Sequence, residues 1–346
     1  MNKNENIRNI FKGGFLRLAA CLALLLAAVS CDYIHDELPL CRHTLRFVYR
    51  HNIKHADAFA YEMKNQEMAK NVRLYIYDNE GKFLSSRLIE GEELDRNEID
   101  LSDLNPGDYR LLAWAGLNAQ DYTWTEPSPG SPIDDFRMTV QAIENRVDRE
   151  LSGLFQGELN YTIPVGGATD TEFPLVKNTN KIRFILIDAN RGTELTKDAF
   201  NFVVTTTNSD LDSHNNPLSP TRITWLPYLQ QVETVKAAGN ETVAYEAVCT
   251  ELNTLRLIDN GTGTLRIRYA SEETPFINVN LTELLKLTQI ASHKLEGQEY
   301  LDRQDEYVIT AYVDIAGGRA HCLEVVVDDW IIRLEDLTLG NEEMGL

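Results

Sequence analysis

The sequence predicts an all-β protein made of two tandem β-sandwich domains that follow a lipoprotein signal peptide. From residue 43 onward, apolar and polar residues alternate in many short stretches, and turn-forming residues separate these stretches. Stretches with a helical period are few. At the N-terminus, the uncharged apolar run of residues 18–29 follows four basic residues and leads to Cys31. We therefore expect strands throughout the mature chain and an anchor at its start.

Length and charge define the broad class of protein. The chain has 346 residues, which is enough for about two domains. Its 43% hydrophobic and 25% charged residues are typical of a globular protein with a buried core. The net charge of −20 gives a surface that repels phosphate backbones, so the composition argues against nucleic acid as a partner.

The apolar run near the N-terminus predicts a signal sequence and not a membrane span. Twelve uncharged residues are too few to cross a bilayer core, which needs about 20. A basic segment followed by such a run is typical of a secretory signal. The sequence Ala28-Val29-Ser30-Cys31 resembles the lipobox of bacterial lipoproteins, in which small residues precede a cysteine.

We therefore predict a signal peptide over residues 1–30, cleavage between Ser30 and Cys31, and a lipidated tether over residues 31–43. In the lipoprotein pathway, the cysteine thiol receives a diacylglyceryl group and the new amino group receives an acyl chain. Three acyl chains exceed the two membrane signals that stable anchoring needs. The alternative is ordinary signal cleavage near Ala28, which leaves Cys31 without lipid.

Alternation of apolar and polar residues predicts strands in the first half of the mature chain, at residues 44–50, 72–77 and 109–116. Turn-forming sequences, DNEG and LNPGD, lie beside the last two. Residues 123–136 are rich in proline and serine, and they predict a long exposed loop.

A stretch rich in glycine, proline and polar residues near 165–180 predicts a domain boundary. A new series of strand patterns begins after it. We therefore expect an N-terminal sandwich over residues 44–172 and a C-terminal sandwich over residues 173–346.

In the second half, the pattern predicts a strand at residues 181–187 and two hairpins. Residues 254–258 and 264–270 flank the sequence DNGTG, which is a strong hairpin signal. Residues 307–314 and 321–334 flank a Gly-Gly turn and form the second predicted hairpin.

Helices are predicted at only two places. Residues 280–290 combine a leucine stripe with Asn280 as N-cap and Glu283 three residues later. Residues 138–150, of mixed polarity, are a weaker candidate. Neither segment changes the all-β class.

Several segments occur in the order expected for one family of surface proteins. Together they resemble the FimB-type family of Bacteroidales fimbrial subunits, which includes the anchor lipoproteins of minor fimbriae. The resemblance covers nearly the whole mature chain, and it depends on the ordered set because no single segment is specific. The matching segments are Cys31 with its acidic neighbours and residues 45–59, 72–84, 104–117, 154–159, 176–186, 300–314 and 325–332.

This resemblance implies two transthyretin-like (Ig-like Greek-key) β-sandwich domains on a lipid anchor at the outer membrane, facing the cell exterior. It implies a fimbrial anchor or accessory subunit whose partners are fimbrial shaft subunits. Contacts in such systems form when a partner strand completes an open strand edge. The implied protein is not an enzyme, and it carries no cofactor other than the covalent diacylglycerol and N-acyl chain on Cys31.

In the same family, fibre subunits are cut at an arginine in their first strand, whereas an anchor escapes the cut. Arg46 and Arg50 lie in the predicted first strand, so both are candidates for that cut. The simpler interpretation is that they are outward-facing strand residues.

Metal and catalytic motifs are weak. His51 and His55 have the i,i+4 spacing of a metal pair, but no HExxH motif accompanies them. Residues 208–216 alternate acidic and amide side chains as calcium loops do, but Asn215 replaces the required glycine. Solvated loops and turns are the better interpretation of both segments.

Aromatic and cysteine residues leave one alternative function open. Trp114 and Trp330 lie in predicted strands and are expected in the core, which leaves Trp124, in the proline-rich loop, as the candidate for ligand contact. The alternative is therefore a surface lipoprotein that binds carbohydrate through exposed aromatic loops. Cys249 and Cys322 could form a disulfide, but their strand phases favour two free thiols.

Overall fold

The structure is a computed structural model that describes residues 42–49, 59, 61–62, 69–190, 194–237, 240–270, 272–287, 295, 297–328 and 330–332. The predicted signal peptide, Ser30, Cys31 and Arg50 lie outside these residues. The described chain is mostly β-strand, and its sheets stack as sandwiches. The predicted all-β class is therefore confirmed.

In the described part of the first half, ten strands are present, and a short helix, α1, spans Gly91–Arg96. The strands are β1 His43–Tyr49, β2 Asn71–Asp78, β3 Phe83–Glu90, β4 Ile99–Asp100, β5 Gly107–Ala115, β6 Tyr122–Trp124, β7 Arg137–Val140, β8 Arg146–Val147, β9 Phe155–Ile163 and β10 Thr169–Lys177.

Seven of these strands form one sheet in the order β3-β2-β5-β9-β10-β1-β4. β1 runs parallel to β10 along its whole length. The sheet curls so that its two edge strands, β3 and β4, come close to each other. Arg87 of β3 donates a hydrogen bond to the Asp100 carbonyl (2.8 Å) and pairs with Asp103. The curled sheet encloses a core to which β1 contributes Leu45 and Phe47.

Among the second-half residues that the structure describes, there are eleven strands and two short helices, α2 Leu281–Lys286 and α3 Gly297–Arg303. The strands are β11 Thr179–Asp188, β12 Phe200–Thr206, β13 Asp210–Asp212, β14 Ile223–Trp225, β15 Leu229–Ala237, β16 Asn240–Leu255, β17 Thr264–Tyr269, β18 Ile277–Asn280, β19 Glu306–Ala316, β20 Arg319–Val327 and β21 Trp330–Ile332.

Two sheets face each other in this half. One has the order β15-β16-β11-β19-β20-β21, and the other has the order β18-β17-β12-β14-β8. Alternate side chains of both sheets point inward and are fully buried, as sandwich packing requires. Phe184, Phe202, Leu252, Leu265 and Ile309 are examples.

Strands of the two halves also pair directly with each other. β8 pairs in parallel with β14, and β7 lies between β6 and β13 in a separate three-stranded sheet. One apolar cluster therefore continues from Trp114 and Phe136 of the first half into the core of the second. The division at residues 172 and 173 stays a prediction, and that point lies inside β10.

The structure corrects two predictions of local pairing. Residues 254–258 and 264–270 do not form a hairpin, because β16 pairs with β11 and β15 whereas β17 pairs with β12 and β18. The turn between them carries the chain from one sheet to the other. The second predicted hairpin is confirmed as β19 and β20, but Asp328 (φ +48°) interrupts the segment 321–334 and β21 folds back onto β20.

The helix predicted at residues 138–150 is wrong, since β7 and β8 occupy this segment and a tight turn at Glu144 and Asn145, both with positive φ, joins them. The loop predicted at residues 123–136 is shorter in the structure, where residues 125–132 form it and are exposed or half-buried. The predicted range begins in β6, and its Phe136 is buried and stacks on Trp114 with ring centroids 5.6 Å apart.

The predicted N-cap of α2 is confirmed. The Glu283 backbone N–H donates to Asn280 Oδ1 at 3.0 Å, which satisfies one of the free donors of the first turn. In the described residues α2 ends at Lys286, whereas the prediction extended to residue 290.

One glycine allows β9 and β10 to approach closely. A Cβ atom on Gly157 would overlap the Pro174 carbonyl oxygen of β10 and lie 2.9 Å from Leu175 Cδ2. The backbone oxygen cannot move without shifting the strand, so this position excludes any side chain.

We expect Gly157→Ala to destabilise the protein by about 1–3 kcal/mol, the usual range for overpacking, and to lower its Tm in thermal unfolding. Gly166→Ala is the matched control, because a Cβ there meets no atom within 4 Å. Equal Tm values for the two variants would contradict the close packing of these strands.

Candidate functional site

The outer edge of β1 is closed by a side chain. The Phe47 backbone N–H donates to Asn97 Oδ1 (2.9 Å), and Asn97 Nδ2 donates to the Phe47 carbonyl (2.8 Å). Asn97 holds a left-handed conformation (φ +50°) at the C-terminus of α1, which asparagine tolerates well. Its amide thus takes the place of a strand residue beside β1.

The rest of that edge is paired with the segment at β4. Leu45 pairs with Ile99, and the Leu101 N–H donates to the His43 carbonyl at 2.8 Å. β1 therefore has partners on both sides, with β10 opposite. The outward backbone groups of His43 and Phe47 are therefore already hydrogen-bonded and are not available to an added strand.

Arg46 lies in the middle of this closed strand and points outward. Its guanidinium pairs with Glu172, the residue directly opposite on β10, at 2.6 Å. This orientation agrees with the interpretation of Arg46 as an outward-facing strand residue. Its role as a processing site stays untested, and Arg50 lies outside the described residues.

Two long strands remain as sheet edges. Within the described residues, β3 is paired by another strand only through β2, and β15 only through β16. Each presents exposed apolar side chains, such as Leu88 (49% exposed) on β3 and Val232 (39%) on β15. Edge strands of this kind can accept a partner strand through backbone hydrogen bonds.

A charged network joins the two halves. Arg110 of β5 pairs with Glu158 of β9 at 2.6 Å, and His214 places Nδ1 2.7 Å from the same carboxylate. The other ring nitrogen of His214 lies 3.1 Å from Asp134 Oδ1. Burial lowers the pKa of His214, but hydrogen bonds to both carboxylates outweigh it and the net pKa lies above the ordinary 6.5.

This network explains the segment 208–216 without calcium. Asp212 Oδ1 accepts hydrogen bonds from the backbone N–H groups of His214 (2.9 Å) and Asn216 (2.7 Å), so it closes a turn. The described residues contain no group of three or more His, Cys, Asp or Glu side chains that could hold a metal ion. Asn215 adds a buried reciprocal amide pair with Asn178 (2.7 and 2.9 Å).

The tryptophans do not form one surface platform. Trp114 and Trp225 are fully buried, as expected for Trp114. Trp124 is half-buried, with the Arg73 guanidinium 5.0 Å from its ring centroid and its Nε1 donating to Glu126 at 2.7 Å. Ligand contact at Trp124 stays a prediction, and one face of its ring already has a partner.

Both described cysteines are free thiols. Cys249 is buried against Ile187 and Ala247 on the outer face of β16, and Cys322 is half-buried on β20. Burial raises the pKa of each thiol to about 11, so neither is a reactive nucleophile.

A polar cavity of about 420 Å³ lies where β10 meets β11. Its wall combines carboxylates, amides, a hydroxyl group and amines, so it suits water or a polar ligand better than an apolar one. Residues in its wall include Asp121, Ser152, Lys177, Asn180, Asn253 and Glu306.

Sequence reasoning did not single out Asn97, Glu158 or Lys177. Each acts through a partner distant in the chain, such as Phe47, 50 residues from Asn97. No local spacing indicates such a pairing.

His214 should make stability depend on pH. Because its folded pKa is raised, the contribution of the charged ring is fully present below pH 6.5 and is lost as pH rises through the folded value. We expect Tm to fall over that range in the wild type and to fall less in His214→Gln. The control His321→Gln, an exposed histidine, should behave as wild type. Identical Tm profiles for wild type and His214→Gln would contradict this role.

Three solved structures from species of Bacteroides and Porphyromonas share the fold. One from Bacteroides thetaiotaomicron, described as a candidate polysaccharide-binding protein, is 25% identical, with a TM-score of 0.70 over 86% of this chain and 99% of its own. A candidate adhesin from the same organism is 26% identical, with a TM-score of 0.72 and the same coverage.

The fimbrial anchor protein Mfa2 from Porphyromonas gingivalis shares the fold at 12% identity, with a TM-score of 0.61 over 84% of this chain and 98% of its own. A search of curated proteins found no match. The family model of fimbrillin-A associated anchor proteins Mfa1 and Mfa2 matches residues 39–336. The resemblance to a Bacteroidales fimbrial anchor family is thereby confirmed, and the chain belongs to the family of fimbrillin-A associated anchor proteins.

Proposed function

We propose that this protein is a cell-surface lipoprotein that acts as a fimbrial anchor or accessory subunit. The family match over residues 39–336 is the observation that carries the proposal. The shared fold of an anchor protein supports it. Neither metal nor cofactor chemistry is part of the role, which consists of holding a fibre to the cell.

Attachment to the outer membrane would come from Cys31. No helix in the described part of the chain is long and apolar enough to cross a membrane. A lipidated cysteine at the end of a tether supplies anchoring without a spanning segment. The folded domains would then stand outside the bilayer, where shaft subunits can reach them.

Contact with a shaft subunit would occur at an open strand edge. The closed edge of β1 cannot serve while Asn97 occupies it. The candidates are β15 and the part of β3 beyond Phe83, because Phe83 already exchanges backbone hydrogen bonds with Gly130 and Ser131. A strand from the partner subunit would satisfy the free backbone groups, and Leu88 or Val232 would give it apolar contact.

The alternative proposal is carbohydrate binding, which the description of one similar structure favours. Trp124 is the candidate aromatic contact. Because Arg73 covers one face of its ring, a sugar could stack only on the other face.

A strain that lacks the gene should shed its fimbriae or make fimbriae of altered length, and the wild-type gene should restore them. Cys31→Ala should not restore attachment, and the variant protein should move from the membrane fraction to the soluble fraction. Cys41→Ala should restore attachment and stay in the membrane fraction.

Leu88→Lys should not restore attachment if β3 is the docking edge, and Val232→Lys should not restore it if β15 is. Val165→Lys is the control, since Val165 is 94% exposed in a loop. Fimbriae unchanged in number, length and attachment in the deletion strain would refute the anchor role.

If the protein binds carbohydrate, a glycan array should give a signal that Trp124→Ala abolishes. Trp124→Phe should retain part of it, because a phenyl ring still stacks on sugar. A silent array, or a signal unaffected by Trp124→Ala, would remove this alternative and leave the anchor role intact.

A further inference from the structure

Lys177, the last residue of β10, is buried together with two carboxylates. Its Nζ lies 2.6 Å from Asp305 Oδ2 and 2.9 Å from Glu62 Oε1. The three side chains are only 8%, 2% and 7% exposed, in that order. A buried ion pair is weak support for stability, because desolvation offsets much of the attraction. Lys177 Nζ has two buried carboxylates within hydrogen-bond distance.

Aromatic rings surround the cluster. The Phe155 ring centroid lies 6.0 Å from Lys177 Nζ, and this ring packs edge-on against Tyr49 (5.3 Å) and Phe59 (5.4 Å). An apolar ring beside a buried cluster favours neutral groups over charged ones. Burial therefore opposes the charge on Lys177, but Asp305 and Glu62 hold its pKa above the ordinary value, so the cluster begins as an ion pair.

The backbone fixes Lys177 and Asp305 side by side. Only Asn178 separates β10 from β11, and Asp305 directly precedes β19. β11 and β19 are parallel neighbours that begin pairing at Lys181 and Glu306. The Lys181 N–H also donates to the Asp305 carbonyl at 2.8 Å. Two residues 128 positions apart in sequence are thus held in one geometry by strand pairing.

We propose that Lys177 and Asp305 condense into an intramolecular isopeptide bond, with Glu62 as the proton shuttle. Asp305 Cγ is one bond beyond the oxygen that contacts Nζ, so the two reacting atoms are close to the separation of about 3–3.5 Å typical of near-attack geometry. Held in this way, an amine and an acid react at an effective concentration far above any in solution.

The reaction balances without a co-reactant. The ammonium group of Lys177 first gives a proton to the Asp305 carboxylate along their hydrogen bond, which leaves a neutral amine and a carboxylic acid. The amine lone pair attacks Cγ and forms the C–N bond. Glu62 takes the remaining surplus proton from nitrogen and delivers it to the departing hydroxyl group. The C–O bond breaks, one water leaves, and Glu62 returns to its starting state.

The cavity beside the cluster gives the water a way out. Lys177 and Glu306 form part of its wall, so the product water can leave without unfolding the sheet.

A second cluster of the same composition serves as an internal control. Lys286 Nζ lies 2.6 Å from Asp259 and 2.8 Å from Glu283. These side chains are more accessible, and that of Glu283 is 59% exposed. Water stabilises the charged forms there, so Lys286 should stay an ordinary ion-pairing lysine.

The bond would cross-link the end of β10 directly to the start of β19, in addition to the peptide chain that already runs from β10 through Asn178 into β11. Force applied between these strands would then act on a covalent bond and not on hydrogen bonds alone. This consequence does not depend on the anchor role.

Peptide mapping of the full-length protein tests the proposal. The protein is incubated in its folded state, denatured and digested with trypsin, and the peptides are weighed by mass spectrometry. We expect the peptides that carry Lys177 and Asp305 as one branched species, lighter than their sum by one water, with no cleavage after Lys177. The Lys286 region should give ordinary linear peptides. Linear peptides from both regions, with cleavage after Lys177, would overturn the proposal.

Two variants separate chemistry from packing. Glu62→Gln keeps the shape of the shuttle but cannot move the proton, so the branched species should be lost or form far more slowly. Lys177→Arg keeps the positive charge without a nucleophilic amine, and no link should form. A full yield of branched peptide in Glu62→Gln would refute the shuttle role. The wild-type digest decides on the bond itself even if a variant fails to fold.

Discussion

The seating of β1 in the first sheet is the interaction on which the rest of the structure depends. Its inward side chains Leu45, Phe47 and Tyr49 are buried, and each contributes about 1.5–3 kcal/mol relative to exposure. β10 pairs along one side, and the Asn97 amide with the β4 segment closes the other. Removal of β1 would open both the core and a long strand groove. With β1 in place, the sheet offers no such groove.

The second half is tied to that sheet at several independent points. Strand pairs β7–β13 and β8–β14 cross between the halves, and His214 sits between carboxylates from the first half. The Tyr49 hydroxyl of β1 adds a hydrogen bond to the Asp302 carbonyl at 3.4 Å. Lys177 and Asp305 lie where the two sheets continue into each other. Force applied to one half would therefore reach the other half through paired strands and side-chain contacts, and not through a flexible linker alone.

Local pattern predicted the strands well because burial on one face alternates with period two. It predicted Trp114 as core for the same reason. It failed at residues 264–270, because a turn signal reports a change of direction and not which strand becomes the neighbour. It failed at 138–150 because strands of two to four residues are too short to show their period.

The candidate site was less accessible to such reasoning. The pairs Asn97–Phe47 and Lys177–Asp305 join residues far apart in the chain, and only the fold brings them together. The family resemblance still indicated a fimbrial family, because it depends on the order of many weakly specific segments and not on contacts between distant residues. It did not indicate which strand edges are closed.

The most direct test of the account is the N-terminus of the protein isolated from the membrane fraction. Mass spectrometry of its N-terminal peptides would show whether β1 is retained. The account predicts a chain that begins at acylated Cys31 and continues unbroken past Arg46. A chain that begins at Phe47 or His51 would mean that the first strand is cut away, and would contradict the role of a lipid-anchored terminal subunit.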